Sequence, residues 1–243
     1  MEVRTKNKTD PGVLKWPPLL KATLIRRYKR FMADVRLSNN HLVTAHCPNS
    51  GSMLGCSEPG RPVYLTRSSN PRRRLKYTWE MIQMPTSLVG INTLVPNRLV
   101  RASILSGKIP ELMGYTEIQS EVRFGKASRV DLVLRRDEEL CFLEIKNCTL
   151  VEDEVAFFPD AVTSRGLKHL IELQEEIKGG HRAVMFYLVQ RMDAKAFSPA
   201  DHIDPAYGAE LRKALKAGLE ILAYDVKINL ETISLGAPLP VKL

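Results

Sequence analysis

The sharpest chemical pattern in the chain is Arg129-Val130-Asp131-Leu132-Val133-Leu134, a polar turn at 135–139, then Leu140-Cys141-Phe142-Leu143-Glu144-Ile145-Lys146. Strand side chains alternate between faces, so Glu144 and Lys146 share one face while Leu143 and Ile145 share the other. Folded as a hairpin, the two runs can bring Asp131 beside Glu144. Carboxylates within apolar strands are costly unless they are paired or bind an ion. Two of them make a hard-oxygen site suited to Mg²⁺ or Mn²⁺, and Mg²⁺ usually keeps waters that a substrate phosphate can replace. The adjacent Lys146 ammonium can orient an attacking water and neutralise charge building at phosphorus. Asp followed by Glu-x-Lys thus suits metal-dependent phosphodiester cleavage. The plain alternative is an ion pair of Lys146 with Asp131 or Glu144.

Three further elements have to hold this pair in place. A strand over 121–124 brings Glu121 alongside the hairpin. A helix over 160–178, closed by Gly179-Gly180, presents Arg165, Lys168, His169 and Glu172 at i+3 and i+4 spacing as one polar stripe. That stripe could contact phosphate or support the metal site, or be a solvated face with a His169–Glu172 contact. Asp160 reads as the helix N-cap. Asn49-Ser50-Gly51 reads as a turn or as a backbone nest for an anion.

From residue 86 onward, strands and helices alternate. Helices are predicted at 96–107 and from Asp204-Pro205 to Gly218, with strands at 182–190 and 219–226. This is an α/β unit. The first 85 residues instead show short strands at 22–35, 41–46, 62–66 and 76–83, separated by Asn, Pro, Gly and Ser turns. A small OB-like barrel fits that pattern. The expected division is therefore 1–85 and 86–243.

Charge follows the same division. The 243 residues carry a formal +9, but residues 1–100 hold 17 Lys and Arg against 5 Asp and Glu, while the rest hold 19 against 22. Two clusters dominate, Arg26-Arg27-Tyr28-Lys29-Arg30 and Arg72-Arg73-Arg74-Leu75-Lys76-Tyr77. Cations interleaved with aromatic rings suit a phosphate backbone and unpaired bases, although a basic surface also simply keeps a protein soluble. Arg26, Arg27, Lys29, Arg30, Arg72, Arg73, Arg74 and Lys76 are the expected phosphate contacts. The apolar runs are too short to cross a bilayer, and Glu2, Arg4, Lys6 and Lys8 leave no apolar leader after Met1. Four scattered cysteines form neither a disulfide scaffold nor a Cys-x-x-Cys zinc site. The expectation is a cytoplasmic protein without membrane contact.

Ordered blocks of sequence then point to one family. They are Leu24-Ile25-Arg26-Arg27-Tyr28-Lys29-Arg30-Phe31, His46-Cys47-Pro48-Asn49-Ser50-Gly51-Ser52-Met53, Ser120-Glu121-Val122 and Ser128-Arg129-Val130-Asp131. Glu144-Ile145-Lys146-Asn147, Phe158-Pro159-Asp160-Ala161-Val162-Thr163 and Arg165-Gly166-Leu167-Lys168-His169-Leu170 complete the set. The chain resembles the sugar fermentation stimulation protein A (SfsA) family almost end to end. The resemblance implies an N-terminal OB-like domain followed by a PD-(D/E)xK nuclease-like α/β domain with a mixed central sheet. It implies non-specific binding of nucleic acid, DNA rather than RNA, and a part in regulating sugar, especially maltose, metabolism. Asp131, Glu144 and Lys146 match the nuclease motif, with Val130 in place of its proline, and the Ile145 carbonyl would be a further metal ligand. Two readings stay open: a metal-dependent endonuclease or phosphodiesterase, and a DNA-binding transcriptional regulator whose nuclease fold is catalytically silent.

Overall fold

In the computed structural model, residues 10–124 and 128–243 are described. The strands, in chain order, are β1 (Val13–Lys15), β2 (Leu19–Tyr28), β3 (Met32–Leu37), β4 (Leu42–His46), β5 (Pro62–Arg67), β6 (Tyr77–Gln83) and β7 (Leu88–Gly90). After helix α1 (Val95–Leu105) come β8 (Glu117–Phe124), β9 (Ser128–Arg136), β10 (Glu139–Cys148), β11 (Leu150–Glu152) and β12 (Val155–Phe158). The chain ends through α2 (Ser164–Lys178), β13 (Arg182–Val189), β14 (Ala196–Pro199), α3 (Pro205–Lys216), β15 (Glu220–Ile228) and β16 (Thr232–Pro238).

Strands β2 to β6 close into a five-stranded barrel. Their antiparallel order is β4-β3-β2-β5-β6, and a short parallel pairing, Ala45 with Tyr77 and His46 with Thr78, joins β4 to β6. This is the OB arrangement expected from the turn spacing. Alternate residues, Ala22 and Leu24, Ala33 and Val35, Val63 and Leu65, point inward with Trp79 and Ile82 to fill the interior. The hairpin pairing does not stop at residue 85: β7 pairs with β6 from Gln83–Leu88 to Met81–Gly90.

The remaining elements form a mixed seven-stranded sheet, ordered β1-β16-β15-β13-β10-β9-β8. Strands β10, β13 and β15 run parallel, and antiparallel pairs flank them on both sides. The apolar stripe of α1 (Leu99, Val100, Ile104) packs with Leu143, Ile145 and Phe186 on one face. Residues Leu170, Leu173, Tyr207 and Leu211 of α2 and α3 pack with Phe142, Met185 and Tyr187 on the other. Helices on both faces let the central strands read as continuous apolar runs. Two strands at one side of the sheet escape the sequence pattern. β16 was not expected, and β1, from the basic N-terminal region, pairs with β16 and so completes the second unit's sheet.

Cap chemistry corrects one expectation. Asp160 is not the N-cap of α2: the Thr163 side chain accepts the Gly166 N–H at 3.0 Å and takes that place. Gly166 is required there, because a Cβ would lie 2.7 Å from Thr163 Cγ2 and 3.1 Å from a ring carbon of Tyr207 in α3. Asp204 caps α3 by accepting from Tyr207 N–H at 3.0 Å and also accepts Thr163 N–H at 2.8 Å, which ties the two helix starts together. All four cysteines are buried and free, and burial pushes the Cys56 thiol up to about 12. Among the described residues, no helix is long and apolar enough to cross a membrane.

Candidate functional site

Antiparallel pairing of β9 with β10 ends at Leu132–Leu143, so the next step of the ladder sets Asp131 opposite Glu144. Both side chains line one cleft of about 650 Å³ with Lys146. Glu144 is 3% exposed on a strand of Cys141, Phe142, Leu143 and Ile145, all buried. A lone carboxylate there would cost several kcal/mol, and two partners offset that cost. Lys146 Nζ donates to Glu144 Oε1 at 2.6 Å, and His169 Nδ1, from α2, donates to the same oxygen. Lys146 Nζ lies 3.3 Å from that imidazole nitrogen. Burial pushes the Glu144 carboxyl up, but the Lys146 charge and the His169 hydrogen bond outweigh it and hold it below the usual range. Its other oxygen, Oε2, is buried with no hydrogen-bond partner among the described residues.

Asp131 is held differently. Asn97 Nδ2, from the first turn of α1, donates to Oδ1 at 2.7 Å, and the Ile145 N–H donates to Oδ2 at 2.7 Å. Burial, with the Glu144 charge adding to it, raises the Asp131 carboxyl to about 6. Two carboxylates thus sit together at the end of the sheet, one of them reluctant to ionise beside the other. Among the described residues no group of three or more His, Cys, Asp and Glu side chains is arranged to hold a metal ion. An acid pair is nevertheless a usual protein contribution to a Mg²⁺ site, whose other positions are water and phosphate oxygen.

The barrel forms the opposite wall. Arg27, Arg30, Asn49, Ser50, Gly51 and Ser52 line the same cleft as Asp131 and Glu144. Asp160 joins the two walls: its Oδ2 accepts Met53 N–H at 2.8 Å and its carbonyl accepts Ser52 Oγ at 2.7 Å. Asn49 Oδ1 accepts the Gly51 N–H at 2.9 Å, so this segment is an Asx turn in which the amide of Gly51 is already taken.

A family model described as the sugar fermentation stimulation protein RE domain matches residues 94–232, and the SfsA N-terminal OB domain matches residues 25–91. The chain belongs to the SfsA family. Sugar fermentation stimulation protein homologs from Geotalea daltonii and Acidithiobacillus ferrooxidans are 55% and 49% identical to it. Those alignments cover 93% and 92% of this chain, and 98% and 97% of the relatives. The solved structure of Pyrococcus furiosus SfsA in complex with Ca²⁺ superposes with a TM-score of 0.88 at 28% identity, covering 95% of this chain and 98% of that one.

In this SfsA-family chain both basic clusters lie at one end of the barrel. Met32 pairs with His46 and His46 with Thr78, so the β2–β3 turn and the β5–β6 loop flank the same rim. These are the two loops with which OB barrels grip oligonucleotides. Individual cations differ. Lys29, Arg30, Arg72 and Arg74 are exposed, Arg73 and Lys76 are half-buried, and Lys76 Nζ donates to the Pro71 carbonyl at 2.6 Å. Arg26 pairs with Asp34 at 2.9 Å. Arg27, expected on phosphate, is engaged otherwise: its Nη atoms donate to the carbonyls of Arg30, Asn49, Gly51 and Ser52 at 2.7–3.1 Å, so it shapes the cleft wall.

The stripe on α2 is divided. His169 faces Glu144 and not Glu172, while Lys168 pairs with Glu172 at 3.6 Å. Glu121 has φ +55° in β8 and lines a neighbouring cleft with Arg165, Lys168 and His169, apart from the acid pair. Asn97 was missed by sequence reasoning. Its only signal was position just inside a helix start, because its partner lies 34 residues away.

Proposed function

We propose that this chain binds DNA without sequence preference and cleaves phosphodiester bonds with the help of Mg²⁺ or Mn²⁺. One observation carries the reading: Glu144 Oε2 is buried without a partner among the described residues, next to a second carboxylate and a lysine. An unpaired buried carboxylate oxygen is expensive unless something cationic meets it. Asp131 and Glu144, joined by the Ile145 carbonyl, are an all-oxygen set of the kind that hard divalent cations take. The relative solved with Ca²⁺ supports the same choice of cation chemistry. When bound, the metal supplies positive charge against the phosphate oxygens.

The chain's own residues do the rest. Arg30 on the cleft wall and the exposed arginines of the rim hold phosphates, and Asn97 and the Ile145 amide fix the orientation of Asp131. Lys146, tethered to Glu144, sits where it can orient a water and neutralise charge that develops at phosphorus. His169 holds Glu144 from the side of α2, so the free oxygen stays directed away from it.

The regulatory reading, a DNA-binding protein that modulates sugar and maltose genes, has its own support. Lys146 is already bonded within the cluster, as a silent structural ion pair would be. Incubation with plasmid and single-stranded DNA, with and without Mg²⁺ or Mn²⁺, separates the two. Metal-dependent cleavage lost in Glu144→Gln supports the nuclease. Binding without cleavage of DNA or RNA under any metal supports the regulator.

A further inference from the structure

A second cleft, of about 620 Å³, adjoins the cluster and is lined by Glu121, Ser128, Arg129, Ser164, Arg165, Lys168 and His169. Two residues relate it to the first. His169 lines the second cleft while its ring bonds Glu144 in the first, so the imidazole is part of the wall between them. Arg165 lines both. Arg129 precedes Asp131 by two positions on β9 and therefore emerges on the same face of the strand. Arg129, Arg165 and Lys168 are all exposed, and they outnumber the single carboxylate of Glu121 in the lining.

We propose that this second cleft holds backbone phosphates of the polynucleotide on one side of the cleaved bond. The chain would run from the barrel rim, over the acid pair, past Arg165 and on to Arg129 and Lys168. A protein open on both sides of its acid pair takes an internal stretch of a strand and needs no free end. This rests on the nucleic-acid reading above and adds the course of the strand beyond the acid pair and the residues that hold it there.

The test compares wild type with the double variant Arg129→Gln/Lys168→Gln in fluorescence-anisotropy titrations. The probes are single-stranded oligodeoxynucleotides of about 6 and about 24 nucleotides, the first within one barrel's site size of about 4–16 nucleotides and the second beyond it. The variant should bind the long probe about tenfold more weakly and lower the salt slope by about 1.4, because each lost contact removes about 0.7. Affinity for the short probe should be unchanged. Closed circular single-stranded DNA should compete as well as linear DNA of equal length. An unchanged melting temperature confirms that the variant folds; should it not, the single variants Arg129→Gln and Lys168→Gln are titrated separately, each expected to lower the slope by about 0.7. Equal weakening of both probes, no weakening of either, or competition by linear DNA alone overturns the inference. A wild type that binds no polynucleotide overturns the nucleic-acid reading itself, and the inference with it.

Discussion

The two walls of the cleft carry charge in opposite ways. On the barrel rim, Lys29, Arg30, Arg72 and Arg74 stand in solvent, and Arg26, though paired with the half-buried Asp34, is exposed as well. On the sheet, Glu144, Lys146 and His169 are nearly or fully enclosed and converge on a single carboxylate oxygen. Exposed cations act almost independently, and each adds a screened increment to phosphate attraction. Enclosed charges depend on one another, since removing one strands its partners in a poor solvent. One wall is therefore suited to graded affinity and the other to chemistry.

The largest expected effect comes from breaking the enclosed side. Glu144→Ala deprives Lys146 and His169 of the carboxylate they both bond and should cost about 3–5 kcal/mol of stability. Arg30→Ala on the rim should change it by less than about 0.5 kcal/mol. Urea unfolding of both variants checks the contrast, and equal losses would erase it. Next in size is Lys146→Ala. If its ammonium acts as charge develops, cleavage of labelled DNA falls by about 10²–10³ while affinity for DNA holds. If the lysine only neutralises Glu144, the variant is instead less stable without metal, and added Mg²⁺ restores much of the melting temperature.

Asp131 gives the pH dependence. Its carboxyl is raised to about 6 by burial and by Glu144, so the folded state holds that proton more tightly than the unfolded state. The sign follows: this group favours folding at acid pH and disfavours it increasingly as pH rises from its ordinary value near 3.8 through 6. Asp131→Asn should accordingly stabilise the metal-free protein at pH 8 by about 3 kcal/mol and by much less at pH 4. It should also weaken Mn²⁺ binding in calorimetric titration. Denaturation at the two pH values reads the first effect, and a variant less stable at pH 8 would contradict it. The smallest expected effect belongs to the rim. Changing Arg72, Arg73 and Arg74 together to Ala should weaken DNA binding about tenfold at physiological salt, alike for unrelated sequences, with a shallower salt dependence. A sequence-dependent loss would mean that these arginines read bases.

Much of this was legible in the chain because local periodicity governed it. The β9–β10 hairpin follows from alternation, and α1, α2 and α3 follow from apolar spacing, Pro at a helix start and the Gly residues beyond α2 and α3. Glu144 and Lys146 share a face for the same reason. What stayed hidden depended on long-range pairing. Three residues, Val13–Lys15, are too short to announce a strand, and their role depends on β16 more than 200 residues later. Arg27 looks like any basic residue of its cluster until four carbonyls surround it. Asp160 lies close enough to a helix start to be read as its cap, yet its partners are Ser52 and Met53, across the cleft.

The pairing of β1 with β16 has a consequence for how the barrel can move. The chain leaves the large sheet after Lys15, builds the barrel, and returns through β7, whose Gly90 N–H donates to the Gln190 carbonyl at 2.8 Å. The barrel is thus an insert moored at both of its ends, unlike a bead on a single tether. Swinging it away from the sheet would work against the β1–β16 pairing at one end and the β7 anchor at the other, so backbone hydrogen bonds at both ends of the insert help to hold the width of the cleft.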